Sequence, residues 1–262
     1  MLLVFDIGNT NITIGIFDIK DLKTSSKAKK VWRISTIKSQ TADEYAVILM
    51  DMFYYSGIKS EDIKWVAAAS VVPSLNYSFK ELSEKYLGKK LFFVNSENCA
   101  GLKFAVKSKK QVGADRIANS VAAFNMFGGG IIVIDFGTAT TFDCIDLKGR
   151  YLGGAIALGP AKSAQALSLK TAQLPHVETK KVLKAIGVTT EECIQAGLYF
   201  GYIGLIKEIL ERSKKEMKVN HIIATGGLAD MISGEIKDIE QVCPDLTLNG
   251  IRLIWEKSRR RK

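Results

Sequence analysis

The sequence contains few of the residues that mark zinc proteins and disulfide scaffolds. It has 4 cysteines and 2 histidines among 262 residues, and the cysteines are widely separated, at Cys99, Cys144, Cys193 and Cys243. Because no two of them form a C-x-x-C pair, we predict neither a zinc site nor a disulfide framework. Scattered free thiols are typical of a reducing cytosol, so we expect a cytoplasmic protein.

Long apolar segments are also missing. Even the apolar run that begins at Gly129 is interrupted at Asp135, short of the roughly 18 residues that a membrane span needs. The chain reaches an acidic residue at Asp6 with no basic region before it, so we expect no signal peptide. With 4 prolines, 47% hydrophobic and 24% charged residues, the composition is that of a globular protein and excludes disorder and collagen. We therefore predict a soluble protein with no membrane partner.

Positive charge is in excess, with 37 lysines and arginines against 27 acidic residues and a net charge of +10. Half of that excess comes from basic residues near the end of the chain, namely Lys257, Arg259, Arg260, Arg261 and Lys262. No aromatic-rich RNA-binding motif accompanies them, so we predict a solvated tail and no nucleic-acid partner. The moderately basic remainder suits an anionic small-molecule substrate.

Two segments of the sequence are similar to each other. The run at residues 2–10 aligns with the run at residues 131–139, so that Asp6 corresponds to Asp135. In each copy four apolar residues, typical of a buried strand, lead into Asp-x-Gly, and a second strand follows the turn as in a hairpin. We therefore predict a duplicated α/β fold of mixed sheets flanked by helices, with its two domains over residues 1–112 and 113–262.

Local patterns predict further elements. Ser74 is expected to cap a helix that follows Pro73, and Gly153 and Gly154 are expected to form a glycine-rich turn. Residues 250–255 are expected to form a closing strand. Helices are also predicted over residues 43–55, 115–127, 160–172 and 190–212.

The turn after Asp6 carries small, hydroxyl and amide residues up to Asn11. Such a turn can direct backbone N–H groups at an anion, while the aspartate holds a hydrated Mg²⁺ on a polyphosphate. One copy alone is equally well explained as an ordinary hairpin turn. Two copies at matching positions favour the phosphate clamp of actin-like ATPases and sugar kinases, so we predict two actin-like (ribonuclease H-like) domains.

Two further motifs are candidate binding elements. Thr225-Gly226-Gly227 follows a predicted strand and would let the backbone lie close to a flat ligand, although alone it could be a simple turn. Gly113-Ala114-Asp115-Arg116 precedes an apolar helix, where a carboxylate is often only an N-cap. As a pair, Asp115 and Arg116 also supply the base and the cation that phosphoryl transfer to an alcohol requires.

The motifs, in this order, resemble those of the type III pantothenate kinases, a family of the acetate and sugar kinase and actin superfamily. The resemblance spans nearly the whole chain and is highly specific. It rests on D-I-G-N-T-N at 6–11, G-A-D-R at 113–116, D-F-G-T-A-T-T at 135–141, G-G-A-I-A-L-G at 153–159, A-x-L-P at 172–175, I-G-x-x-T at 186–190, T-G-G at 225–227 and L-x-L-x-G at 246–250. It implies ATP-dependent phosphorylation of pantothenate to 4'-phosphopantothenate, the first step of coenzyme A biosynthesis. It also implies a homodimer formed by the helices around Asp115, with the substrate pocket near the interface.

The resemblance further implies roles for individual residues. Asp115 would accept the proton of the substrate hydroxyl, and Asp135 would bind a monovalent cation, K⁺ or NH₄⁺. Thr190 would contact the substrate, and Thr138, Gly226 and Gly227 would contact ATP. The phosphates of ATP, with Mg²⁺, would be bound by Asp6, Ile7, Gly8, Asn9, Thr10, Asn11, Ile12 and Thr13, and pantothenate by Gly113, Ala114, Asp115 and Arg116.

Two positions depart from the family's pattern. The family usually has a substrate-contacting tyrosine where this chain has Val106, and a proline where it has Leu158. Phe104 or a looser pocket could replace the tyrosine. Two rival interpretations remain open, a kinase of another small polyol and a non-catalytic accessory factor that acts through a partner. Against the accessory factor, all three aspartates of the motifs are present.

Overall fold

The computed structural model describes residues 1–19, 27–170, 174–175 and 177–260, which form two compact units. The first unit consists of the described residues within 1–102, 107–125 and 245–260, and the second of those within 103–106 and 126–244. The predicted domain division between residues 112 and 113 stays a prediction. The end of the predicted helix 160–172, the start of the motif at 172–175 and the last two tail residues, Arg261 and Lys262, lie outside the described residues.

The described residues form two sheets. The strands of the first are β1 (Leu2–Ile7), β2 (Asn11–Phe17), β3 (Lys30–Ser35), β4 (Trp65–Ser70) and β5 (Leu91–Phe93). Those of the second are β6 (Lys103–Phe104), β7 (Ile131–Phe136), β8 (Ala139–Ile145), β9 (Arg150–Leu158), β10 (His221–Thr225) and β11 (Gln241–Val242).

Helices cover these sheets. They are α1 (Ala42–Tyr55), α2 (Pro73–Leu87), α3 (Ala114–Phe127), α4 (Pro160–Lys170), α5 (Thr190–Glu216), α6 (Ala229–Ser233) and α7 (Leu246–Arg259). In the first unit, alternate side chains of β1, such as Leu3 and Phe5, pack in a core with Leu49 of α1 and Phe79 of α2. The mixed sheets flanked by helices confirm the predicted α/β class.

The two sheets have the same strand order, which confirms the predicted duplication. The first sheet runs β3-β2-β1-β4-β5, and the second runs β9-β8-β7-β10-β11 with β6 added beside β9. In each, the central strand pairs antiparallel with the strand that follows it and parallel with a later one. Both copies of the Asp-x-Gly motif therefore lie at the carboxyl end of a central strand, where open α/β sheets bind their ligands.

Three local predictions were wrong. Residues 250–255 are helical in α7, because Ile251, Ile254 and Trp255 are buried at the helical spacing of three and four residues. Gly153 and Gly154 lie within β9 instead of a turn, since a Cβ at Gly154 would come 1.6 Å from the Phe142 carbonyl oxygen of β8.

The third error concerns the start of α2. Ser74 does not cap this helix, because Val72 occupies the cap position and Pro73 is already helical. Proline suits the first helical position since its fixed φ matches the helix and its missing N–H would have no partner there.

In the described part of the chain, α5 is the helix that is long and apolar enough to cross a membrane by length and composition, with 39% of its most apolar stretch buried. Its buried side chains, including Ile206 and Leu210, pack with Phe136 and Phe142 in the core of the second unit. The core helix of a globular protein passes the same length test, so this feature is weak evidence for a membrane span.

Candidate functional site

The loop after Asp6 is a tight turn that is held by the residue following β3. The N–H of Gly8 donates to the carbonyl of Asn11 at 3.0 Å, and a Cβ at Gly8 would lie 2.9 Å from that same oxygen. Thr36 donates from its hydroxyl to the Gly8 carbonyl at 2.7 Å and from its N–H to the Thr10 carbonyl at 2.9 Å. The loop is therefore fixed from both sides, as a preorganised anion site requires.

The exposure of this loop suits it to a charged ligand. Asn9, Thr10 and Asn11 are exposed, Gly8, Asp6 and Thr13 are half-buried, and the flanking Ile7 and Ile12 are buried. The two isoleucines thus anchor the turn in the core, while its polar residues face solvent. A half-exposed carboxylate with hydroxyl and amide groups nearby is the oxygen donor set that Mg²⁺ prefers, with water completing its coordination.

Asp115 lies at the start of α3, and its carboxylate fills the space that Gly113 leaves. A Cβ at Gly113 would come 2.4 Å from Oδ1 of Asp115. The same oxygen accepts a hydrogen bond from the N–H of Arg116 at 2.7 Å. Burial raises the pKa of Asp115 above its ordinary value of 3.8, and the N–H and the positive charge of Arg116 oppose that rise only in part.

Val71 connects Asp115 to the strand that carries Asp6. Its N–H donates to the carbonyl of Ile7 at 3.1 Å, directly after β4 leaves its parallel pairing with β1. Its Cγ1 lies 3.5 Å from the position of a Cβ on Gly113. The half-buried carboxylate of Asp115 and the Asp6 loop are therefore at the same edge of the first sheet.

The second unit contains the equivalent loop after Asp135. Gly226 follows β10 with φ 94°, and a Cβ on it would come 2.6 Å from Oδ1 of Asp135. Glycine is required here both by the positive φ and by this contact. Gly159 packs as closely on the other side, since its N–H donates to the Thr138 carbonyl at 3.1 Å and a Cβ would lie 2.7 Å from that oxygen. The exposed Thr138 is thus held on a short, rigid loop.

The remaining predicted residues belong to both units. Arg116 is half-buried beside Asp115, and Ala114 is buried. In the second unit, Thr190 is an exposed residue in the first turn of α5, whose cap is Thr189, and Gly227 is exposed next to Gly226. Val106 is half-buried, and its Cγ1 lies 3.5 Å from the position of a Cβ on Gly153.

Sequence reasoning missed several residues that support these loops. Thr36 and Val71 belong to no motif, and their contacts depend on strand pairing that a single sequence does not display. In the second unit, the buried hydroxyls of Tyr202 and Thr140 are hydrogen-bonded to each other. Burial, with a smaller effect of the Asp135 charge, raises the pKa of Tyr202 to about 12, so this hydroxyl keeps its proton.

A duplicated sheet with an aspartate loop at each central strand defines the actin-like fold. Solved structures share the fold. A putative Baf family transcriptional activator from Campylobacter jejuni is similar with a TM-score of 0.61 at 20% identity, over 98% of this chain and 99% of that one. The inorganic polyphosphate/ATP-glucomannokinase from Arthrobacter sp. strain KM has a TM-score of 0.50 at 16% identity, over 99% and 98% of the two chains. At these identities the likeness shows the fold alone.

Sequence comparison gives the family. The profile of the type III pantothenate kinases matches residues 2–212. A type III pantothenate kinase of Endomicrobium trichonymphae is 59% identical over 257 residues, which cover 98% of this chain and 99% of that protein. The chain belongs to the type III pantothenate kinase family. A kinase of this kind uses ATP and a divalent metal ion.

Proposed function

We propose that this chain carries out the reaction of its family, the ATP-dependent phosphorylation of pantothenate to 4'-phosphopantothenate in coenzyme A biosynthesis. The observation that carries the proposal is the position of Asp115, a half-buried carboxylate of raised pKa at the same sheet edge as the Asp6 loop. Phosphoryl transfer to an alcohol needs these two elements together, a proton acceptor and an anion site.

The proposed chemistry is a single displacement. The primary hydroxyl oxygen of pantothenate attacks the γ-phosphorus of ATP, the bond from that phosphorus to the β,γ-bridging oxygen breaks, and ADP leaves. The hydroxyl proton passes to the carboxylate of Asp115. Because burial raises its pKa, this group is a better proton acceptor than a solvated aspartate.

The Asp6 loop is proposed to bind the phosphates of ATP. Its backbone N–H groups and the Asn9, Thr10 and Asn11 side chains would contact the phosphate oxygens, while Asp6 would hold Mg²⁺. The metal ion would neutralise part of the negative charge of the phosphates. The support for this assignment is the fixed geometry of the loop, which Thr36 holds through two hydrogen bonds.

For the second unit we propose that Asp135 binds a monovalent cation and that Thr138, Gly226 and Gly227 contact ATP. Asp135 lies against Gly226, so one close-packed cluster carries both assignments. Carboxylate and backbone carbonyl oxygens are suitable ligands for a hard cation.

Pantothenate is proposed to contact Arg116, whose guanidinium suits the anionic substrate, and Thr190.

We further propose a cytoplasmic homodimer with no nucleic-acid or membrane partner. The helix that carries Asp115, α3, is largely buried. Among the described apolar side chains, those of Leu183, Ile186 and Val188, which precede α5, are 89%, 84% and 88% exposed. A second copy of the chain would cover such residues, whose exposure to water in a monomer is unfavourable in free energy.

The experiment is a substrate screen that measures ADP release with Mg²⁺ and either K⁺ or NH₄⁺ present. We expect release that depends on pantothenate and does not occur with other small polyols. ADP release with a different polyol, and not with pantothenate, would show that the protein is a kinase of another substrate. Failure of a purified dimer to release ADP with any acceptor would favour the accessory factor instead.

A further inference from the structure

The C-terminal helix α7 lies outside the matched family profile, which ends at residue 212, yet it is part of the first unit. The side chain of Leu248, a residue of α7, packs against the hairpin that carries Asp6. A Cβ at Gly15 of β2 would lie 3.0 Å from Cδ1 of Leu248, and Gly15 is paired with Val4 of β1. The helix is therefore in direct contact with the hairpin that leads into the phosphate loop.

The same helix is in contact with α3, the helix that begins with Asp115. A Cβ at Gly250 would come 1.9 Å from the carbonyl oxygen of Ala118, so the two backbones approach as closely as only glycine permits. One turn earlier in α7, the hydroxyl of Thr247 donates a hydrogen bond to Oδ1 of Asn119 at 2.8 Å. Asn119 has no exposed surface.

Asn119 follows Asp115 by four residues, so the two side chains lie on the same face of α3, one turn apart. The carboxylate of Asp115 has little room to move, because it fills the space beside Gly113 and is bound by the N–H of Arg116. A rotation or shift of the first turn of α3 would thus change how deeply the carboxylate is buried. A bond that fixes Asn119 opposes such a shift.

We propose that Thr247 and Asn119 form a positioning pair, through which α7 sets the orientation and burial of Asp115 relative to the Asp6 loop. This inference rests on the proposed role of Asp115 as proton acceptor. The plain alternative is that the bond only attaches α7 to the body of the protein. The alternative predicts a loss of stability and nothing else.

The test compares three variants of the full-length protein. Thr247→Val removes the hydroxyl and keeps the shape, and Thr247→Ser keeps the hydroxyl. The control, Arg259→Gln, loosens the opposite end of the same helix, where the guanidinium lies 4.1 Å from the ring centre of Trp65 and 5.1 Å from that of Trp255. Each variant is measured for its melting temperature, its kcat, its KM for pantothenate and for ATP, and the pH dependence of kcat/KM.

For Thr247→Val we expect kcat to fall by at least about tenfold, since a small misplacement of a catalytic group is costly. KM for ATP should stay unchanged, because the variant leaves the Asp6 loop intact. The acid limb of kcat/KM should move toward the ordinary aspartate pKa as water reaches Asp115. Arg116, the charged group that acts on Asp115, is unaltered in all three variants. Thr247→Ser should restore both kcat and the pH profile, and Arg259→Gln should lower the melting temperature only.

Wild-type kcat and pH profile in Thr247→Val would overturn the positioning role, as would equal kinetic losses in Thr247→Val and Arg259→Gln. A folded Asp115→Asn protein with wild-type turnover would instead reject the proposed role of Asp115 as proton acceptor, on which this inference rests. The two failures are therefore distinguishable in one set of assays.

Discussion

Gly113 and Asp115 occupy one space: the position that a Cβ would take on Gly113 lies 2.4 Å from Oδ1 of Asp115. The glycine lets the carboxylate fold back over the start of α3, where it is half-buried and bound to the N–H of Arg116. The chain thus keeps a partly desolvated acidic group beside the Asp6 loop, at a cost in solvation that a fully exposed aspartate would not have.

We expect Gly113→Ala to impair catalysis by displacing the carboxylate of Asp115. A shift of about 1 Å at a catalytic group costs about 10²-fold in rate, so kcat should fall by that order while ATP binding persists. Steady-state kinetics and nucleotide titration measure the two quantities. Gly234→Ala is the matched control, because a Cβ there meets nothing within 4 Å and its φ is −62°. Wild-type kcat in Gly113→Ala would show that the carboxylate position is not critical.

The raised pKa of Asp115 predicts the pH range in which the enzyme works. Only the ionised carboxylate can accept a proton, so activity should be lost as the pH falls through a midpoint above 3.8, the ordinary value. Carbon NMR of the labelled aspartate carboxyls, with Asp115→Asn for assignment, should show one group with the same elevated midpoint. A signal for Asp115 that titrates at or below 3.8 would contradict the burial effect.

Asp6 and Asp135 should behave differently although they are repeats of one motif. Asp135→Asn is expected to abolish any preference for K⁺ or NH₄⁺ over Na⁺, because it replaces the anionic carboxylate proposed to bind the cation by a neutral amide. Asp6→Asn should reduce turnover in every salt, since it weakens the phosphate and Mg²⁺ site. Initial rates in matched chloride salts make the comparison. A wild-type protein that is indifferent to the cation would disprove the role of Asp135.

Replacing Val106 by tyrosine tests the departure from the family's pattern. The neighbouring Gly153 leaves room beside this side chain. A neutral hydrogen bond contributes about 0.5–1.5 kcal/mol, so Val106→Tyr should lower KM for pantothenate by at most about tenfold and leave kcat similar. Val106→Phe provides the ring without the hydroxyl and should not lower KM. Equal effects of both variants would show that ring contact, and not the hydrogen bond, is what changes binding.

The duplication and the ends of the central strands could be predicted from sequence, because they depend on local signals. The apolar runs before Asp6 and Asp135 specify buried strands, and the polar turns after them specify hairpins. Each of the two sheets contains one of these hairpins, and the two sheets have the same strand order.

The supporting contacts could not be predicted, because they join residues that are distant in sequence. Thr36 reaches the Asp6 loop only through the pairing of β2 with β3, and Thr247 meets Asn119 across 128 positions. Glycine also misled the prediction in β9, where Gly154 permits close strand contact instead of forming a turn. The helical character of α7 is likewise determined by burial against other elements.

The most direct test of the central claim is a single-turnover measurement of phosphoryl transfer from ATP to pantothenate by Asp115→Asn, with nucleotide binding measured in parallel. If Asp115 is the proton acceptor, the variant should fold, bind ATP as the wild type does, and transfer the phosphoryl group about 10²- to 10⁴-fold more slowly, the contribution of a positioned base. Transfer at the wild-type rate by the folded variant would contradict that role.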